Sequence, residues 1–405
     1  MAHIKDIVGY EKEVEKLYNV CDFLKNSKKY TDFGVELPNC LLICGQRGVG
    51  KTLMAEALTA DCERKVFTVN ARGCDVANVK SIFKRARKLA PSVVLIDDID
   101  YLDPEADADV LGRIDMEIDC GNNDDVFVVV TADAKENLPK YLLDEFDYDM
   151  VIELEPPRLK DACQIFKPIF DRYKMAQDFN EMDFCCFAID RTYTYVEEIV
   201  NKAARLAVCE GAERVSMKHL IKAGLLQKGY EPAVKFDVAT AYHEVGHAVV
   251  NLLLGGDAAC IVLYGNCGGY FEEKKWKSDT YLEKERRYVV RVAGKACEEM
   301  FTQSSSIGSE NDLKRAREDI EKDIKLLASQ GFEYFDSTEL NSPLYNDALA
   351  KKVQSDLQKY YDRAKELIVQ NKSLVDTFVE RLRDKFFLLH SEIYDIYNKY
   401  MGSKK

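Results

Sequence analysis

The apolar run CLLIC (40–44) breaks off into GQRGVGKT (45–52), and TLMAEALTADCE then continues with helical spacing. A strand that feeds a helix through a glycine-rich loop needs a layered α/β architecture to cover it. Three further apolar runs follow: KVFTVN (65–70), SVVLID (92–97) and VFVVVT (126–131). The stretch VANVKSIFKRARKLA between them has helical spacing. Runs apolar on both faces, alternating with helices, point to a parallel sheet with helices on both sides. Residues 1–36 read as a helix with loop flanks. From EPPRLKDACQIFKPIF onward the strand signal fades, so 156–229 should be an all-helical lid. QKGYEPAVKFD (227–237) reads as a linker. The remainder should be mainly helical, with one hairpin over ACIVLYGNCGGYFEE (259–273). The expected organisation is an α/β nucleotide-binding domain over 1–155, the lid over 156–229, and a mainly α-helical domain over 230–405.

The loop after the first strand fits G-x-x-x-x-G-K-T in full: Gly45, Gln46, Arg47, Gly48, Val49, Gly50, Lys51 and Thr52. Its glycines let backbone N–H groups curl around a phosphate. Lys51 can reach the terminal phosphates, and the Thr52 hydroxyl can hold Mg²⁺. The run SVVLIDDID ends a strand in acids, placing Asp97 in the Mg²⁺ shell and Asp98 beside the attacking water. ATP or ADP with Mg²⁺ is therefore the expected ligand.

A second constellation, HEVGH (243–247), uses two of only five histidines. Residues four apart share one helix face, so His243 and His247 can both address one ion. Glu244 lies beside them as the base for water. With five histidines and seventy acids in 405 residues, chance gives on the order of 0.01 matches to H-[DE]-x-x-H. A net charge of −13 gives no broad basic footprint for nucleic acid. No apolar run approaches the ~18 residues of a membrane span. The thirteen cysteines are scattered and never spaced C-x-x-C, which suits reduced thiols in the cytoplasm.

The opening IKDIVGYEKEVEKLYNVCDFLKNSKKYTDFGVELPNCLLICGQRGVGKT (4–52) resembles an AAA ATPase module of the FtsH family, whose chains continue into a zinc peptidase. The resemblance implies that Ile7, Val8 and Gly9 of DIVG line the adenine pocket. It also implies that Asp312, in SIGSENDLKRAREDIEKDIK (305–324), is the third ligand of one Zn²⁺ per chain. Two alternatives stand beside Asp312. Ser309-x-x-Asp312 can be a helix cap, and Glu298 and Glu299 in GKACEEMF are rival ligands. The family further implies protein or peptide substrates, a hexamer, and a hairpin strand around CIVLYG that takes substrate by edge pairing.

Departures from the family are specific. Its N-terminal membrane helices are missing, so the chain is natively soluble or is the soluble part of an anchored protein from which a membrane segment was removed. ARGCDVAN (71–78) lacks the aromatic residue that grips substrate. The segment YLDPEADADVLGRIDMEID (101–119) is compact and acidic, and LPKYLLDEFDYDMVIELEPP (138–157) lacks the arginines that act in trans. Asp98 replaces a glutamate, and Thr131 stands in for a sensor asparagine. The expectation is a zinc endopeptidase that cleaves unfolded or flexible proteins, with weak ATP-driven unfolding. One alternative is a full ATP-dependent unfoldase–protease, with Arg47, Arg72 or Arg113 as replacement finger. Another is a non-catalytic, nucleotide-dependent chaperone or scaffold.

Overall fold

In a computed structural model, residues 2–119, 125–265, 267–273, 280–303, 309–327 and 343–403 are described. The chain divides into two compact units. The first comprises residues 1–172 and 190–198, and the second residues 173–189 and 199–405.

The first unit carries strands β1 (Cys40–Cys44), β2 (Lys65–Asn70), β3 (Ser92–Asp97), β4 (Val126–Ala132) and β5 (Val151–Glu153). They form one parallel sheet in the order β2-β3-β4-β1-β5. Helices α1 (Glu11–Lys25), α2 (Ser27–Asp32), α3 (Lys51–Asp61), α4 (Val76–Lys88), α5 (Ala108–Asp119) and α6 (Lys140–Leu143) surround it, and α7 (Leu159–Phe170) follows β5 in the chain. Alternate residues of β1, β3 and β4 serve opposite cores, while β2 buries only Phe67 and Val69, on one face. Leu41, Ile43, Val93, Leu95 and Val129 pack with α1 and α3 on one face. Leu42, Val94, Ile96, Val128 and Val130 pack with α4 and α5 on the other. Burial on both faces is why these strands read as unbroken apolar runs. β5, absent from the sequence expectation, has three residues and only one of them is buried.

The second unit is helical: α8 (Glu181–Phe187), most of α9 (Tyr193–Cys209), α10 (Met217–Gln227), α11 (Val238–Leu253), α12 (Tyr281–Thr302), α13 (Glu310–Leu327), α14 (Pro343–Gln370), α15 (Lys372–Lys385) and α16 (His390–Ser403). A small antiparallel sheet joins them, with β6 (Ala258–Tyr264) between β7 (Gly268–Glu273) and β8 (Phe387–Leu389). The expected hairpin is β6–β7; its turn residue 266 lies outside the described residues. The edge-pairing expectation needs correcting. β6 is hydrogen-bonded on both sides and buried; the end strands are β7 and β8, and of these β7 lines the cleft. Asp183 of α8 is buried, and its carboxylate accepts from the Ser391 amide at 2.8 Å and the Ser391 hydroxyl at 2.6 Å, capping the first turn of α16. No disulfide links the described cysteines. Among the described residues no helix is long and apolar enough to cross a membrane.

Candidate active site and nucleotide pocket

Helix α11 starts where the Asp237 carboxylate accepts from the Thr240 amide at 2.9 Å, an N-cap that satisfies an otherwise orphaned donor. Ala241, Val245, Ala248, Val249 and Leu252 seat the helix in the core. This holds His243 and His247 inside the unit with their Nε2 atoms 3.1 Å apart. Asp312 is in the first turn of α13. Its Oδ2 lies 3.1 Å from His243 Nε2 and 3.3 Å from His247 Nε2. One ligand atom from each of the three residues falls within 4.8 Å of the others.

The far side of each imidazole is also engaged. His247 Nδ1 donates to the Val290 carbonyl at 2.7 Å, and His243 Nδ1 faces Glu298 Oε2 at 3.3 Å. Such outer partners fix the tautomer and leave each Nε2 free for a metal. Glu298 is therefore placed behind a histidine rather than at the ion, and Glu299 is occupied by Lys295 and Tyr361. The capping alternative finds no support either: the buried Ser309 hydroxyl has no partner, while the Asp312 carboxylate is spent on the two imidazoles. Gly294 of α12 makes room for the rings, since a Cβ there would run into both Nε2 atoms. Two nitrogens and one carboxylate oxygen at this spacing suit zinc, which takes three protein ligands in catalytic sites and keeps a fourth position open.

The electrostatics agree with a site built for a cation. Burial works to lower the pKa of His247, but the hydrogen-bonded Asp312 carboxylate and Glu244 override it and raise it to about 9. Burial likewise tends to raise that of Asp312, yet the two imidazoles hold it far below the usual carboxylate range. Glu244 has its pKa raised, by burial first and by Asp312 as well. A Cβ on Gly269 of β7 would run into the Glu244 side chain, so β7 runs alongside the base. These groups open into a cleft of about 860 Å³, also lined by Tyr264, Tyr270, Arg291 and Arg315.

In the first unit, the loop after β1 curls at the carboxyl ends of the parallel strands, where α/β folds bind ligands. Gly48 has φ +85°, and a Cβ there would collide with Thr194. A cavity of about 600 Å³ is walled by Ile7, Val8, Arg47, Gly48, Val49, Gly50, Lys51, Thr52 and Asp98. Gly9, Gly45, Gln46 and Asp97 lie outside that wall. Thr52 Oγ1 is 3.2 Å from Asp97 Oδ1. The Thr131 hydroxyl donates to Asp97 Oδ1 at 2.7 Å and accepts from the Asp98 amide at 2.7 Å. Asp98 has its pKa raised by burial and by the neighbouring Asp97.

Sequence reasoning missed several members of this pocket. Tyr10, Gln164, Ile165, Pro168, Tyr193 and Thr194 contribute to the wall. Tyr10 donates to the Val49 carbonyl at 3.2 Å and the Glu155 carbonyl at 2.9 Å, and burial pushes its pKa up to about 12. Asp133 pairs with Lys51 at 2.6 Å. Nothing in the sequence but its place after β4 could have singled it out. Two of the three candidate finger arginines have partners within the chain. Arg47 lines its own nucleotide cavity, Arg72 stacks on Tyr101 at 3.8 Å, and Arg113 pairs with the buried Glu117.

Comparison with known proteins finds a family match for each part of the chain. The profile of the ATPase family associated with various cellular activities (AAA) matches residues 41–154, and that of peptidase family M41 matches residues 235–396. The chain thus joins an AAA ATPase core to a zinc metallopeptidase. It is 25% identical over 424 residues to ATP-dependent zinc metalloprotease FtsH 2 of Thermoanaerobacter sp. (strain X514), covering 96% of this chain and 81% of that protein. It is 28% identical to ATP-dependent zinc metalloprotease FtsH of Caldicellulosiruptor bescii, covering 77% and 56%. It is 23% identical to that of Helicobacter pylori (strain J99), covering 98% and 71%. The chain belongs to the FtsH family of AAA ATPase-linked zinc metalloproteases.

Proposed function

We propose that the chain is a zinc endopeptidase acting on unfolded or flexible proteins, and that its nucleotide module hydrolyses ATP slowly. The observation that carries the peptidase reading is the convergence of His243, His247 and Asp312, with Glu244 beside them in the same cleft. His243, His247 and Asp312 would hold one Zn²⁺. Bound zinc supplies Lewis acidity, polarising a peptide carbonyl and acidifying a water. Glu298 and the Val290 carbonyl keep both imidazoles turned to the ion. Glu244, whose pKa burial raises, accepts a proton from the attacking water at its carboxylate and delivers it to the departing amine nitrogen. The open edge of β7 pairs with an extended substrate backbone.

The slow-ATPase reading rests on parts that bind and parts that are missing. Gly45 to Thr52 and Asp97 would cradle Mg²⁺-nucleotide, with Ile7 and Val8 against the base. Trans arginines contribute roughly 10³–10⁵-fold in related phosphoryl-transfer sites. The segment 138–157 has none, and Asp98 is a methylene shorter than the family's acid. Assembly into a hexamer is part of this reading. The full unfoldase–protease stays as a second reading because Tyr101, held by Arg72 and exposed at the end of β3, offers an aromatic grip that the 71–78 loop lacks.

The experiment uses one tagged substrate in a stable and a destabilised version, with and without ATP, on the wild type and a Glu244→Gln variant. Folded domains are stable by roughly 5–15 kcal/mol, so spontaneous opening is rare. The expected result is cleavage of the destabilised version only, lost in Glu244→Gln. ATP-driven destruction of both versions at similar rates selects the second reading. Cleavage of neither by zinc-replete wild type rejects the peptidase.

A further inference from the structure

We propose that Asp133 makes the phosphate pocket favour a nucleoside diphosphate over a triphosphate. The inference rests on the nucleotide reading above and concerns which nucleotide that pocket keeps. Lys51 is 5% exposed and so has little water to satisfy it. Its ammonium donates to the Gly45 carbonyl at 2.8 Å and to Asp133 Oδ1 at 2.6 Å. The loop lysine of this motif is the group that meets the terminal phosphates, and here a carboxylate already holds it.

Asp133 is well anchored. Its backbone amide donates to the Asp100 carboxylate, and β4, which delivers it, is hydrogen-bonded on both sides. Asp97, Asp98 and Asp100 surround the same point, and Asp98 feels both Asp133 and Asp100. Lys51 lowers the pKa of Asp98, so one ammonium serves several carboxylates. A third phosphate brought to Lys51 has two outcomes. It displaces Asp133 from its ion pair, or it sits beside it as a like charge. Both penalise the triphosphate. A diphosphate leaves the terminal position vacant and Asp133 in place. A neutral amide of the same size removes the repulsion and can donate to a phosphate oxygen.

The test measures affinities for ADP and for the non-hydrolysable triphosphate AMP-PNP by calorimetry, with and without Mg²⁺. It compares the full wild-type chain with Asp133→Asn and Asp133→Glu. The wild type should bind ADP more tightly. Asp133→Asn should raise triphosphate affinity relative to ADP by about tenfold or more, equivalent to about 1.4 kcal/mol. Asp133→Glu keeps the charge and should keep the wild-type preference. The Asp133 side chain is 51% exposed, so neither substitution disturbs the core. An unchanged ratio in Asp133→Asn, or a shift toward ADP, overturns the proposal while leaving the nucleotide reading intact. Binding of neither nucleotide to wild type or variants removes the nucleotide reading, and the proposal with it.

Discussion

Gly294→Ala isolates the geometry of the metal centre without touching a ligand. A Cβ at 294 would lie 2.7 Å from His243 Nε2 and 2.8 Å from its Cε1, and closer still to His247 Nε2. Ordinary contact begins at 3.4 Å, so the His243 ring must retreat by 0.7 Å, the difference between 3.4 and 2.7 Å. Zinc–nitrogen bonds of about 2.0–2.1 Å tolerate about 0.2 Å, so the displacement is roughly three times what coordination allows. Helix α12 cannot simply back away, because its other side packs on α14, where Tyr288 meets the Tyr360 ring and the Tyr360 hydroxyl donates to Glu285 at 3.1 Å. The expected outcome is zinc affinity at least about 100-fold weaker, the loss of one ligand. Alanine also favours a helix interior by up to about 1 kcal/mol over glycine, so the metal-free variant should keep its helical content. Competition against a fluorescent zinc chelator gives the affinity, and circular dichroism in EDTA gives the fold. Zinc affinity within threefold of wild type would refute the reasoning.

Other outcomes follow from the same geometry. Glu298→Gln should weaken zinc about 10–100-fold with Asp312 in place; the same chelator competition reads it, and an unchanged value would mean that Glu298 does not orient His243. Lys51→Ala should abolish nucleotide binding while leaving one zinc per chain, measured by calorimetry and metal analysis on the same sample. Asp183→Ala removes the cap of α16 and strands the Ser391 donors, so chemical denaturation should show the peptidase-containing unit about 1–2 kcal/mol less stable.

The two chemical motifs were legible because each is written in consecutive residues. GQRGVGKT between a strand and a helix, and HEVGH at helical spacing, carry their geometry in their spacing. β1, β3 and β4 were legible because burial on both faces leaves no polar interruption, and β2 because Phe67 and Val69 are buried in alternation with exposed residues. β5 escaped because three residues, two of them partly open, carry no period. β8 escaped for the same reason, buried in a helical stretch. The open edge was assigned to the wrong strand because alternation cannot say which neighbours pair. Whether an acid meets a metal or the back of an imidazole is equally invisible, which is why Glu298 stood as a rival to Asp312. Asp133 looked like an ordinary turn acid. Tyr193 and Thr194 reach Gly48 only through tertiary packing.

Because β7 ends its sheet and lines the cleft with Gly268, Gly269, Tyr270 and Phe271, a substrate that docked there as proposed would meet main-chain groups first. Every amino acid except proline supplies the matching groups. A chain read this way is judged by its shape before its letters. A helix has spent those groups on itself, and so has the interior of a sheet. Such an edge would favour a segment stretched out and momentarily without partners, which is also how damaged, nascent and misassembled chains differ from finished ones.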